Sequence, residues 1–329
     1  MAARLEPAPA VLAPDLVDLR KLSSGHLESL LEEETRAWKQ ALDWDFKKSA
    51  DLVRRFVDLR ALSGCALMEA GEAVGYSYFV IEEHKGLIGD LYVRHAHRSV
   101  ENENRLLAAV LEDLVAGSQA RRIESQLMML LPAPARDFPG AQFLSTFERD
   151  FMLLDFSAAP PLAERPARPP IHIERWTDQH HDSAAQLIAA AYAGHIDSRI
   201  NDQYRSFSGA RRFLYNIVQY PGCGSFFRPA SLVAFDLDRG TLCGLSLTSL
   251  VGPHAGHITQ ICVAPKARAT GLGYELLRSS LLTLAQHGCR KVSLTVTAAN
   301  REAVDLYERM GFRTIRTFNA LVWEGFARG

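Results

Sequence analysis

The chain lacks a paired-cysteine framework. Its five cysteines, Cys65, Cys223, Cys243, Cys262 and Cys289, are scattered and odd in number, and none are spaced C-x-x-C. That argues against a zinc ribbon or a disulfide scaffold and for reduced thiols in a cytoplasmic protein, with no metal expected. No uninterrupted apolar run is long enough to span a bilayer. The Ala/Pro-rich start through Pro14 is too short and too proline-broken for a secretory apolar segment. An excess of one charge is missing too. The 37 Lys and Arg against 38 Asp and Glu leave a formal net charge of −1, so nothing electrostatic points to nucleic acid or a membrane surface as a partner. What remains is 329 residues with 47% hydrophobic content, enough for two ordinary domains, each with its own core.

The most informative stretch is Arg268-Ala269-Thr270-Gly271-Leu272-Gly273. Before it, Ile258 to Val263 reads as a buried strand ending at Pro265. After it, Tyr274 to Leu282 is apolar at helical spacing. A glycine-bearing loop that opens a helix leaves backbone N–H groups unpaired at the positive end of the helix dipole, where phosphate oxygens bind. Gly271 and Gly273 carry no Cβ, so a diphosphate can approach closely. Taken alone, the string fits a plain structural turn equally well.

A second string, Asn300 to Phe312, follows another β-rich run at Lys291 to Thr297. Together, Val263-x-Pro265-x-x-Arg268-x-x-Gly271-x-Gly273 and Asn300-x-x-Ala303-x-x-Leu306-Tyr307-x-x-x-Gly311-Phe312 resemble the two signature segments of the GNAT superfamily of acyl-CoA-dependent N-acyltransferases. The family usually has Gly after the Arg, where this chain has Ala269. The resemblance implies an α+β fold with α/β/α layers, a mixed and mostly antiparallel sheet flanked by helices, and acyl-CoA binding. It says little about the acceptor.

The fold is written twice. Glu69-Ala70-Gly71 and Asp238-Arg239-Gly240 are both tight-turn signals, each followed by a strand carrying a glycine, Gly75 or Gly244. The spacing from Gly75 to Val93 is within one residue of that from Gly244 to Val263, and a helical pattern follows each. Two tandem GNAT-like domains are therefore expected: residues 1–156, a Pro-rich linker at 157–170, and a catalytic domain at 171–329. Setting Val93 on Val263 keeps the arginine as Arg98 but turns both loop glycines into Glu101 and Glu103. Like charge and Cβ crowding then oppose a diphosphate, so the first domain is expected to have lost acyl-CoA binding and to shape the acceptor cleft. Trp38 and the Asp43-Trp44-Asp45 run can wall that cleft or simply pack.

The resemblance also implies site roles. Backbone groups of Ile261, Cys262 and Val263 hold pantetheine and the thioester carbonyl. The loop Arg268, Ala269, Thr270, Gly271, Leu272, Gly273 and Tyr274 takes the diphosphate, and Asn300 caps its helix and bonds the cofactor. Tyr307 is the expected general acid, a core tyrosine being the alternative. His257 stands where relatives often carry a glutamate base, with His254 as a substitute, although water relays serve in many such enzymes and His257 also fits a plain strand start. Cys262 reads as an inert thiol. Tyr192, Asp197, Arg199 and Tyr204, beside His195, suit a polar amine that also carries an anion, and equally suit a solvated loop. The expected activity is acetyl transfer from acetyl-CoA to the primary amine of a small molecule or peptide, in a ternary complex, by a monomer or homodimer. The alternative is a non-catalytic acyl-CoA sensor or interaction module.

Overall fold

A computed structural model describes residues 13–117, 120–164, 171–220 and 222–326. The first half runs β1 (Asp15–Asp18), α1 (Ser24–Leu42), α2 (Lys47–Asp58), β2 (Ser63–Glu69), β3 (Glu72–Glu82), β4 (Lys85–Val93), α3 (Val100–Gly117), β5 (Arg122–Gln126) and β6 (Leu144–Asp155). The second runs β7 (Ile171–Arg175), α4 (His181–Ala191), α5 (Asp197–Ile200), α6 (Phe207–Gln219), β8 (Ser225–Phe226), β9 (Leu232–Asp236), β10 (Thr241–Gly252), β11 (Ala255–Val263), α7 (Leu272–Gln286), β12 (Lys291–Thr297), α8 (Arg301–Arg309) and β13 (Arg313–Glu324). Residues 165–170 of the Pro-rich stretch lie outside the described residues.

All strands share one sheet, in the order β1-β2-β3-β4-β5-β13-β6-β12-β11-β10-β9-β7, with β8 on β10. Pairing is antiparallel throughout the described residues except for β4 with β5 and β11 with β12. Those two parallel steps need crossovers, and α3 and α7 supply them. The expected α+β sheet flanked by helices is what forms.

The internal repeat is visible residue by residue. Gly75 pairs with Val93 and Gly244 with Val263. Each hairpin carries an irregularity three or four residues beyond its paired glycine, at Tyr78/Phe79 and at Leu247/Thr248. Gly86 and Gly256 stand at matching places under the crossover helices. A Cβ on Gly86 would sit 2.7 Å from Leu114, and one on Gly256 3.0 Å from Leu284, so the missing side chains let helix and sheet close up.

At the centre the halves exchange strands. β6 runs antiparallel to β12 from Asp155↔Lys291 to Arg149↔Thr297, while β13 pairs with β5 and with the other edge of β6. The last strand of each half thus completes the sheet of the other. Phe151, Leu321 and Trp323 are fully or almost fully buried along this seam. Each such apolar side chain contributes roughly 1.5–3 kcal/mol of burial, so the halves are joined by core packing rather than by surface contact.

Candidate active site

The site begins where β11 leaves β12. Their pairing stops at Ile258↔Leu294, while β12 continues to Thr297, bonded along its whole length to β6 on its other edge. Residues 259–263 keep β10 on one edge only, from Gln260↔Leu247 to Val263↔Gly244. Backbone polar groups on the parting edge need other partners. The Tyr192 hydroxyl donates to the Ile261 carbonyl at 3.4 Å. The Cys262 thiol is buried, and burial pushes its pKa up to about 12, so it is the inert thiol expected.

The loop after β11 turns through left-handed backbone twice, at Ala269 (φ 58°) and Gly271 (φ 89°). Only Gly271 does so without a Cβ penalty. A Cβ there would meet nothing within 4 Å, so the space over the loop is open. α7 starts at the next residue, and the first-turn N–H groups of a helix have no partner within it. Arg268 donates to the Ala191 carbonyl at 2.7 Å and so ties the loop to the C-terminal end of α4. The Thr270 hydroxyl is spent on the Ala267 carbonyl, and Leu272 is fully buried. These two residues can offer a ligand only their backbone. The Tyr274 hydroxyl donates to the Ala163 carbonyl at 2.7 Å.

Open edge and loop border a cavity of about 780 Å³. Tyr307 and Asn300 reach it from α8, where the Asn300 side chain caps the helix by accepting from the Ala303 N–H. Tyr307 is 7% exposed, and among the described residues no hydrogen bond engages its hydroxyl. Burial, with the negative charge of Asp197, drives its pKa well above that of a free phenol, so it stays a proton donor. Tyr192 and Tyr204 stack with ring centroids 4.5 Å apart and are joined through Gln260. Its amide donates to Tyr192 Oη at 2.8 Å and accepts from Tyr204 at 3.2 Å. Asp197 accepts from the Thr297 hydroxyl.

His257 lines the cavity but is not an ordinary base. Its Nδ1 meets Ser293 Oγ at 2.9 Å, its ring edge faces Trp44 at 5.0 Å, and burial lowers its pKa to about 3. The imidazole is therefore neutral at physiological pH. His254 is exposed, outside the cavity lining, with Nδ1 against the Gly288 carbonyl. Arg199, expected at the substrate, is not among the residues that line the cavity. Its guanidinium lies over the Phe147 ring at 5.1 Å, away from the cavity, because its segment is pinned by Arg122, which donates to the Arg199 and Ile200 carbonyls. Lys85 and Glu124 hold Asp202, two residues after Ile200, by its carboxylate and its N–H. The first half thus fixes the loop that presents Asp197 and Tyr204.

Both halves wall this one cavity. Trp38, Trp44, Phe46, Tyr78 and Asp90 come from the first half, and Trp38 stacks on Phe46 at 5.0 Å. Arg149 comes from the exchanged strand β6. Local pattern singled out Trp38 and Trp44. Phe46, Tyr78, Asp90, Arg149 and Gln260 carry no local signal, since only strand order brings them here. Behind Asp90 lies Glu34, fully buried and bonded to Tyr76 and Trp38. Burial raises the pKa of both acids, Asp90 to about 6, and the Asp90 charge adds to the rise at Glu34.

The loop of the first half is built differently. The buried Glu103 carboxylate accepts from the Leu131 N–H at 3.1 Å and pairs with Arg136 and Arg98. Arg98 and Arg316 then clamp the carbonyls of Met128, Met129 and Leu130. The Glu103 carboxylate is thus turned inward onto arginines and a loop N–H, while Glu101 is exposed. Among the described residues, no cluster of three His, Cys, Asp or Glu could hold a metal, and no helix is long and apolar enough to cross a membrane.

Splayed strand, glycine loop and buried tyrosine lie in the second half of a tandem GNAT-type fold, whose first half repeats the hairpin and crossover helix. The family described as Acetyltransferase (GNAT) matches residues 198–312, so the chain carries a GNAT domain in its second half, of a family that uses acyl-CoA. The mycothiol acetyltransferase of Acidimicrobium ferrooxidans is 26% identical over 81% of this chain and 84% of its own. That of Corynebacterium jeikeium is 33% identical, but the match spans only 20% of this chain and 19% of that protein. A tandem GNAT protein from the clavulanic acid biosynthesis pathway superposes with a TM-score of 0.63 over 95% of this chain and 99% of that one, at 16% identity, which shows the shared fold.

Proposed function

We propose that the chain transfers an acetyl group from acetyl-CoA to a primary amine by direct attack, with the chemistry in the second half. The observation that carries this reading is that the open edge of β11, the start of α7 and the Tyr307 hydroxyl face one cavity. Acetyl-CoA would supply the activated thioester. The backbone of Ile261 to Val263 and the first turn of α7 fit its pantetheine arm and diphosphate, because one edge is unpaired and the space above Gly271 is open.

The residues divide the work by their protonation states. Tyr307, held protonated by burial, gives its proton to the departing thiolate. His257, neutral and with Nδ1 engaged by Ser293, offers Nε2 as an acceptor that orients the attacking amine rather than storing its proton. Water in the cavity carries that proton away. Trp38, Trp44 and Phe46 exclude bulk water from the far wall and contact the acceptor body. The relatives are named for mycothiol, which makes a mycothiol-type amine one acceptor to assay.

Calorimetric titration of acetyl-CoA, with release of CoA thiol on adding amines, tests the reading. The expected result is one site per chain, abolished by Gly271→Glu, which puts a charge and a strained side chain into the loop. Two sites would overturn the silent first half, and no site would leave the acetyltransferase reading without its donor.

A further inference from the structure

Arg149 has no counter-charge among the described residues. Its guanidinium lines the same cavity as Tyr307, yet among the described residues it forms no ion pair. Nη2 lies 3.4 Å from both the carbonyl and the hydroxyl of Thr295, at the long end of hydrogen bonding. Nε is buried with no partner among the described residues. Other enclosed arginines are charge-paired or bound to carbonyls: Arg122 pairs with Glu124, Arg136 with Glu103 although its Nη1 is also unpartnered, and Arg316 binds the carbonyls of Met128 and Leu130. Asp197, across the cavity, is engaged by Thr297. A guanidinium presents N–H donors in a planar fork that matches a carboxylate, and withdrawing it from water without an anion is unfavourable. Its charge is felt at the phenols of Tyr307 and Tyr204, which places it beside the proposed acid.

We infer that Arg149 binds a carboxylate carried by the acceptor close to its reacting amine, so that the acceptor is an amino acid rather than a simple alkylamine. The inference rests on the amine-acetylating reading above and adds the acceptor class to it. The guanidinium takes the carboxylate through its Nη groups and leaves the amine free for His257 and the thioester. The aromatic wall of Trp38, Trp44 and Phe46 takes an apolar side chain. Because Arg149 stands on the strand lent by the first half, that half contributes directly to the site.

L-phenylalanine and phenethylamine, which differ only in the carboxylate, are the probes. With acetyl-CoA, kcat/KM for the amino acid should exceed that for the amine at least tenfold. Arg149→Met should remove that preference while acetyl-CoA affinity stays unchanged, and Arg149→Lys should restore part of it. Equal use of both probes by the parent protein, or equal losses for both in Arg149→Met, would overturn the inference. Succinyl-CoA with phenethylamine separates the other source of a carboxylate: an Arg149-dependent preference for it over acetyl-CoA would move the carboxylate to the donor and also overturn the inference. If neither probe is acetylated, binding of N-acetyl-L-phenylalanine against N-acetylphenethylamine in the presence of CoA decides without turnover. Tighter, Arg149-dependent binding of the former supports the inference even though the catalytic reading fails, and equal binding sinks it.

Discussion

Replacing Tyr307 by Phe and His257 by Gln, one at a time, separates proton donation from orientation. Burial holds the His257 pKa at about 3, so protonating it at pH 7 costs roughly four pK units, or about 5 kcal/mol. Only about one imidazole in ten thousand then carries the proton, so His257 contributes as a hydrogen-bond acceptor. A bond of that kind is worth about 1 kcal/mol, and His257→Gln should lower kcat/KM about 5- to 10-fold. Tyr307→Phe removes the acid and should cost about 10²–10⁴-fold. The assay is CoA thiol release between about pH 5.5 and 9.5, with acetyl-CoA affinity measured alongside. Neither variant should shift that affinity, and the parent profile should show no limb near the ordinary histidine value of about 6.5. A limb there that vanished in His257→Gln would show the imidazole titrating in the working enzyme and would refute the burial argument. Equal losses in the two variants would refute the division of roles.

Two further outcomes follow from local geometry. Asp90 titrates at about 6 when folded, above the ordinary carboxyl value of 3.8, so the folded chain binds a proton that the unfolded chain lacks between those values. Stability contributed by that proton is present at low pH and lost as pH rises through about 6, a difference of up to about 3 kcal/mol. Asp90→Asn should therefore raise the melting temperature near pH 8 and barely change it near pH 4; equal shifts at both would contradict the cause given. In the loop, Gly271→Ala places a Cβ at φ 89° and should cost about 1–2 kcal/mol, a fall of about 2–4 °C. Ala269→Gly relieves the same strain at φ 58° but frees the unfolded chain, so it should gain under about 1 kcal/mol. Melting curves in which Gly271→Ala matched the parent would remove the case for a conformationally required glycine.

Arg268 to Gly273 and Asn300 to Phe312 were legible in the sequence because a loop opening a helix and a capped amphipathic helix are written in neighbouring residues. The internal repeat was legible for the same reason: turn signals and strand glycines recur at one spacing, and Gly75 and Gly244 pair in the same register. Burial was not. His257 shares its strand parity with Thr259 and Ile261, but only Trp44 and Phe151, brought over from the first half, strip its solvent and its basicity. Arg199 looked like a substrate contact because its neighbours are polar, yet the fold turned it onto Phe147.

The sequence by itself determined the two hairpin-and-helix repeats and the glycine loop, since each depends on φ preferences and periodicity within a few residues. Tertiary structure alone decided that β6 and β13 change places, and with that exchange everything that makes the cavity specific. Arg149 stands beside Thr297, Trp44 against His257, and Lys85 against Asp202 because pairing between distant strands is selected by the packing of the whole sheet, which no local stretch of sequence encodes.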